Sequence, residues 1–148
     1  MDTRVTLPLT FTGVLNEFIG KNIGIACTEG RMAYIGPLTS VSKGLVTIFE
    51  KEIYHNITFK RIFLFRPQND VDNFPITTTF NKEISELFKK YEHFLNQKVT
   101  ITPEAGRIWE EIGVLKHIGS DYFVTISQFD NKITFVYAGQ KLNLAPQK

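Results

Sequence analysis

Cysteine is nearly absent from this chain: Cys27 stands alone, so no internal disulfide can staple the fold. A single thiol fits a reducing compartment. Long apolar runs are lacking too. None approaches the roughly 20 residues a membrane-spanning helix needs, and Met1-Asp2-Thr3-Arg4-Val5 carries no apolar leader, so neither a membrane span nor a secretory signal is expected. Charge of one sign is missing as well. The 17 basic and 15 acidic residues leave a net charge of +2. Residues 1–67 hold eight basic and five acidic side chains, residues 68–148 nine and ten. Dedicated nucleic-acid binders concentrate positive charge far more strongly. His55, His93 and His117 are scattered and Cys27 has no partner at ligand spacing, so no metal is expected. No phosphate-cradling loop, nucleophile elbow or dinucleotide fingerprint appears, and no cofactor is implied.

What the chain has is phenylalanine. Thirteen Phe accompany five Tyr and one Trp, and ten Gly and six Pro punctuate the sequence at short intervals. That combination predicts short strands around aromatic cores, not long helices.

The strands recur. Phe18-Ile19-Gly20-Lys21-Asn22-Ile23-Gly24-Ile25 is matched by Phe94-Leu95-Asn96-Gln97-Lys98-Val99-Thr100-Ile101, 76 positions later. The same offset pairs Gly30-Arg31-Met32 with Gly106-Arg107-Ile108. It becomes 77 at Ile35-Gly36-Pro37-Leu38 against Ile112-Gly113-Val114-Leu115, and 78 at Val46-Thr47-Ile48 against Val124-Thr125-Ile126. Slips confined to turns point to an internal repeat.

Each copy alternates as strands do. The runs are Asn22–Thr28, Met32–Leu38, Leu45–Phe49, Ile53–Phe59 and Arg61–Phe65, then Lys98–Thr102, Ile108–Leu115, Tyr122–Ser127, Lys132–Tyr137 and Lys141–Leu144. Gly36 and Gly113, inside their strands, predict bulges or sharp bends. An amphipathic segment precedes each set: Thr12–Ile19, and Asn81–Leu95 with Asn81 as N-cap. The fold expected is mostly β: a first barrel over 1–67, a polar linker over 68–80 and a second barrel with its N-terminal helix over 81–148. Units this small sit near the lower limit for independent folding, so the two copies should touch.

A helix followed by five bent strands, carrying Phe-Ile-Gly-Lys, Gly-Arg, Ile-Gly-x-Leu and Val-Thr-Ile, resembles the Sm-like barrels of the SH3-like small-barrel group, in particular those of Bacillus-type spore outer-coat proteins. The resemblance spans Leu15 to Leu144. It implies two tandem five-stranded small barrels arranged as a pseudo-dimer, a structural or protein-interaction role, and a cytoplasmic location in a bacterial or phage-infected cell, or assembly into a spore coat. RNA-binding relatives use loop motifs that Thr58-Phe59-Lys60-Arg61-Ile62 and Tyr137-Ala138-Gly139-Gln140-Lys141 do not match.

Chemistry is thin. Cys27 continues an apolar alternation and reads as a core thiol. Glu110 and Glu111 are strand neighbours and point to opposite faces. With no convergent acid, base and nucleophile the chain is not expected to be an enzyme. Binding candidates remain. Arg31 and Arg107 occupy equivalent turns, either as paired anion grips or as solvated hairpin residues. Lys60-Arg61 with Arg66 forms the densest basic cluster; alternation would put Phe59, Arg61, Phe63 and Phe65 on one face, as a stacking platform or as core. Trp109, aligned with Ala33, either anchors a partner or seals the barrels together. The partners expected are proteins or further copies of the chain; the alternative is a nucleotide or short RNA held in a basic cleft between the barrels.

Overall fold

A computed structural model describes residues 7–28, 33–68, 85–104, 110–139 and 142–147. Ten strands form one open antiparallel sheet, and two short helices pack on it. Among the described residues no helix is long and apolar enough to cross a membrane.

The first half runs α1 (Phe11–Glu17), β1 (Asn22–Cys27), β2 (Ala33–Ser42), β3 (Leu45–Glu50), β4 (Ile53–Thr58) and β5 (Ile62–Pro67). The second runs α2 (Glu86–Tyr91), β6 (Lys98–Pro103), β7 (Glu111–Ile118), β8 (Tyr122–Ser127), β9 (Ile133–Tyr137) and β10 (Leu142–Pro146). The sheet order is β10-β6-β7-β8-β9-β5-β1-β2-β3-β4. Each half therefore places its last strand beside its first, and the other three follow in chain order. The halves meet where β5 pairs with β9, Leu64 opposite Val136 and Phe65 opposite Phe135.

Local features repeat as well. Thr10 caps α1 by accepting from the Gly13 N–H, and Ser85 caps α2 by accepting from Phe88. A hydroxyl at this position satisfies a donor that the helix cannot. The expected cap Asn81 lies outside the described residues, and the helix starts later than the amphipathic pattern implied. Its last stretch is a 3₁₀ turn over Glu92–Phe94. Gly20 and Asn96 both adopt positive φ, 88° and 66°. Their N–H groups donate to Leu38 and Leu115 respectively. The β2·β3 ladder shifts register between Leu38 and Ser40, and β7·β8 between Leu115 and His117. Gly36 and Gly113 are required just before these shifts. A Cβ there would lie 2.0 Å from the Phe49 carbonyl oxygen and 2.3 Å from that of Ile126.

One expected correspondence fails. Leu38 pairs with Ile48 and Leu115 with Thr125, so β3 and β8 correspond at an offset of 77, not 78. Val46 is the counterpart of Phe123, and the Val-Thr-Ile triplets match one residue out of step. A one-residue slip turns every side chain to the other face. The burial agrees: Val46 and Ile48 enter one core, Phe123 the other.

The two cores lie on opposite faces of the shared sheet. Phe65 and Phe135 stack at 4.8 Å in the first core; their neighbours Leu64 and Val136 enter the second. The middle strands are therefore buried on both sides, which explains the unbroken apolar runs Ile62-Phe63-Leu64-Phe65 and Tyr122-Phe123-Val124.

Candidate binding site

The polar centre of the molecule lies at the junction of the halves. Arg66, on β5, reaches into the second half: its Nη2 donates to Glu111 Oε2 at 2.8 Å and to Ser127 Oγ at 3.2 Å, and its Nη1 to Asp130 Oδ2 at 3.2 Å. Glu111 is 1 % exposed, and burial pushes its carboxyl above the usual 4.5 although Arg66 opposes the shift. Its Oε1 and the Arg66 Nε are buried without a hydrogen-bond partner. The Glu111 end of this network is enclosed, whereas Arg66 and Asp130 keep 28 % and 37 % of their side chains exposed, and the network joins the two halves of the sheet.

A second polar seam binds α1 to the second half. Asp121 Oδ1 accepts from the Phe11 N–H at 2.7 Å, Tyr122 Oη donates to the Pro8 carbonyl at 2.5 Å and Ser120 Oγ to that of Leu9 at 3.0 Å. Burial raises the Asp121 carboxyl, and burial together with the Asp121 charge raises the Tyr122 and Tyr137 hydroxyls. His117, also buried, is lowered by desolvation, and its Nδ1 has no partner.

Only some of the residues singled out from the sequence lie among the described residues. Arg31, Arg107 and Trp109 lie outside the described residues. Lys60 is exposed and Arg61 half-buried, in a 3₁₀ turn over Phe59–Arg61 that interrupts the expected continuous alternation. The Arg61 carbonyl accepts from the Thr28 N–H at 2.8 Å. Arg66 leaves the proposed basic cluster for its carboxylates. The phenylalanines do not share a face: Phe59 and Phe65 enter the first core and Phe63 the second, all buried. No stacking platform exists on this strand. Cys27 is buried among the first core's side chains. Among the described residues no group of His, Cys, Asp and Glu could hold a metal ion.

What the sequence reading passed over is the sheet's two ends. Among the described residues, β4, Ile53-Tyr54-His55-Asn56-Ile57-Thr58, and β10, Leu142-Asn143-Leu144-Ala145-Pro146, each pair on one side only. Neither contains Asp, Glu, Lys or Arg, the residues with which edge strands usually repel further pairing. Ile53 is 57 % exposed and Tyr54 64 % exposed on β4. The uncharged runs were visible in the sequence, but only the strand order reveals that they are edges. The Arg66 pair had one signal: Glu111 falls in the inward phase with Gly113 and Leu115, and a buried carboxylate needs a cation. No protein-family model, curated protein or solved structure matches this chain.

Proposed function

We propose that this protein is a non-catalytic assembly module: two tandem Sm-like five-stranded barrels set as a pseudo-dimer, whose outermost strands accept strands of other polypeptides. The carrying observation is the pair of uncharged edges at β4 and β10, unpaired on their outer sides among the described residues. Main-chain groups along such an edge supply affinity, and alternate side chains supply selectivity. The barrel reading draws on the repeated strand order, the matched register shifts and the matched positive-φ residues. It is in keeping with the resemblance to coat-forming Sm-like domains.

The competing role, capture of a nucleotide or short RNA, has a direct test. A ligand that binds only the folded state raises the melting temperature. Thermal melts with a panel of nucleotides and short RNAs should coincide with the melt of protein alone, and purified protein should carry no excess absorbance at 260 nm. A shift of several degrees would replace assembly with ligand capture.

A further inference from the structure

We infer that the turn between β7 and β8, residues 119–121, is an acid-released latch: it fastens the lead-in of α1 and the cap of α2 to the sheet, and protonation of His117 at its base frees both.

The polar groups of the turn reach to both helices. On one side, the Ser120 N–H and Oγ donate to the Leu9 carbonyl at 2.8 and 3.0 Å. Asp121 Oδ1 accepts from the Phe11 N–H, and the Tyr122 hydroxyl donates to the Pro8 carbonyl. These bonds hold the stretch that leads into α1. On the other side, the Gly119 carbonyl accepts from Ser85 Oγ at 3.1 Å, and Ser85 is the N-cap of α2. The turn is closed by the Gly119 N–H on the Tyr122 carbonyl at 2.8 Å. It is also tightly packed: a Cβ on Gly119 would lie 2.1 Å from Tyr122 Cε1 and 2.9 Å from the Leu9 carbonyl oxygen. A turn seated this closely cannot shift without disturbing both attachments.

His117 sits where the β7·β8 ladder shifts register, opposite Val124 of the first core. Its ring meets that of Tyr122 at 5.7 Å. The imidazole is buried, and its Nδ1 has no hydrogen-bond partner among the described residues. A second proton on this ring would be a buried charge without an acceptor. The groups around it offer no compensation. Asp121 already gives an oxygen to Phe11, and the Tyr122 and Tyr137 hydroxyls are raised, so both stay neutral. Lys116 on β7 and Lys98 on β6 are cations, and Glu17 on α1 and Glu86, Lys89 and Lys90 on α2 are exposed. Burial is what lowers the imidazole below its ordinary 6.5.

Opening the latch puts the ring in water, where it regains its ordinary value. Below about pH 6.5, each unit therefore favours the open form by up to roughly tenfold, until the closed form also takes up the proton. Opening stays local because these attachments are the least buried. Leu9 and Thr10 are exposed and α2 contributes no buried residue, whereas Phe11, Val14 and Leu15 anchor the body of α1.

The first half has no copy of this device. The ladders match His117 with Ser40, Asp121 with Gly44 and Tyr122 with Leu45, and Ser40 is exposed. By the same reckoning Phe65 matches Leu144 and Arg66 matches Ala145.

The test is amide hydrogen exchange by NMR on the full-length protein, corrected for the intrinsic pH dependence of exchange. Between about pH 7.5 and about pH 5, protection of the Phe11, Ser120 and Phe88 N–H groups should fall roughly tenfold. Protection of Ile25 and Phe65, inside β1 and β5, should hold. His117→Leu should abolish the acid-induced loss, and His117→Gln should do the same where the leucine does not fold. Asp121→Asn should keep the pH dependence, although it weakens the Phe11 bond. Loss that persists in both His117 variants, or that disappears in Asp121→Asn, overturns the inference. So does loss spread evenly over β1 and β5, loss at one helix without the other, or no loss at all.

Discussion

The two halves share a strand order and differ in how their cores are finished. The first is sealed by residues of the second: Phe11 packs edge-on or tilted against Phe59, Phe65, Tyr122 and Tyr137, and Phe18 packs against Phe65 and Phe135. The second core takes Phe63 and Leu64 from the first half, but among the described residues its matching positions Phe94 and Leu144 stay half-buried. A repeated plan therefore does not give repeated energetics. What decides is which neighbour a strand meets across the sheet.

The sharpest way to break the comparison is to truncate matched side chains. Phe65→Ala, in the stack with Phe135, should cost about 4 kcal/mol in chemical denaturation, whereas Leu144→Ala at the half-buried counterpart should cost only about 1. Equal losses would mean that the two cores are equally complete. Next comes Arg66→Ala, which strands the Glu111 carboxylate inside the junction and should cost about 3 kcal/mol. Ala145→Arg, at the matched position, should leave the stability of dilute protein within about 0.5 kcal/mol.

Smaller effects follow from titration, and they too belong to one half. Glu111 has a raised carboxyl, so the folded state holds its proton longer than the unfolded chain. Its contribution is complete below about 4.5 and is lost as pH rises through the folded-state value. Urea titrations of Glu111→Gln should accordingly show a shallower decline over that interval. His117 runs the other way: its lowered value makes stability fall as pH drops from about 6.5. His117→Leu should flatten that fall. Tyr122→Phe should cost about 1 kcal/mol through the hydrogen bond lost to Pro8.

The strands were legible because alternation reports them directly: Ile23, Ile25 and Cys27 mark β1, Val99 and Ile101 mark β6, and the glycines at 36 and 113 mark the bends. Register in the middle was not legible. On β8 both faces are buried, so Tyr122-Phe123-Val124 carries no polar phase to say which way it faces, and a chance Val-Thr-Ile match gave the wrong offset. The aromatic run Phe59 to Phe65 misled for a related reason, since a 3₁₀ turn resets the alternation within it. Among the site residues, Arg66 and Glu111 are 45 positions apart, and only the strand order brings them together. The edges could not be recognised at all until that order was known.

The interleaving of the cores has a consequence for how the protein is made. Tyr122, Val124, Ile133 and Phe135 help to fill the first half's interior, so that interior is unfinished when residue 67 leaves the ribosome. Domain-by-domain maturation during synthesis, the usual course for larger chains, is denied to it. The nascent first half must wait, with its aromatic side chains uncovered, until translation has passed Tyr137. Ribosome-bound chains arrested before that point should be open to protease, and those arrested after the C-terminus has cleared the exit tunnel should resist.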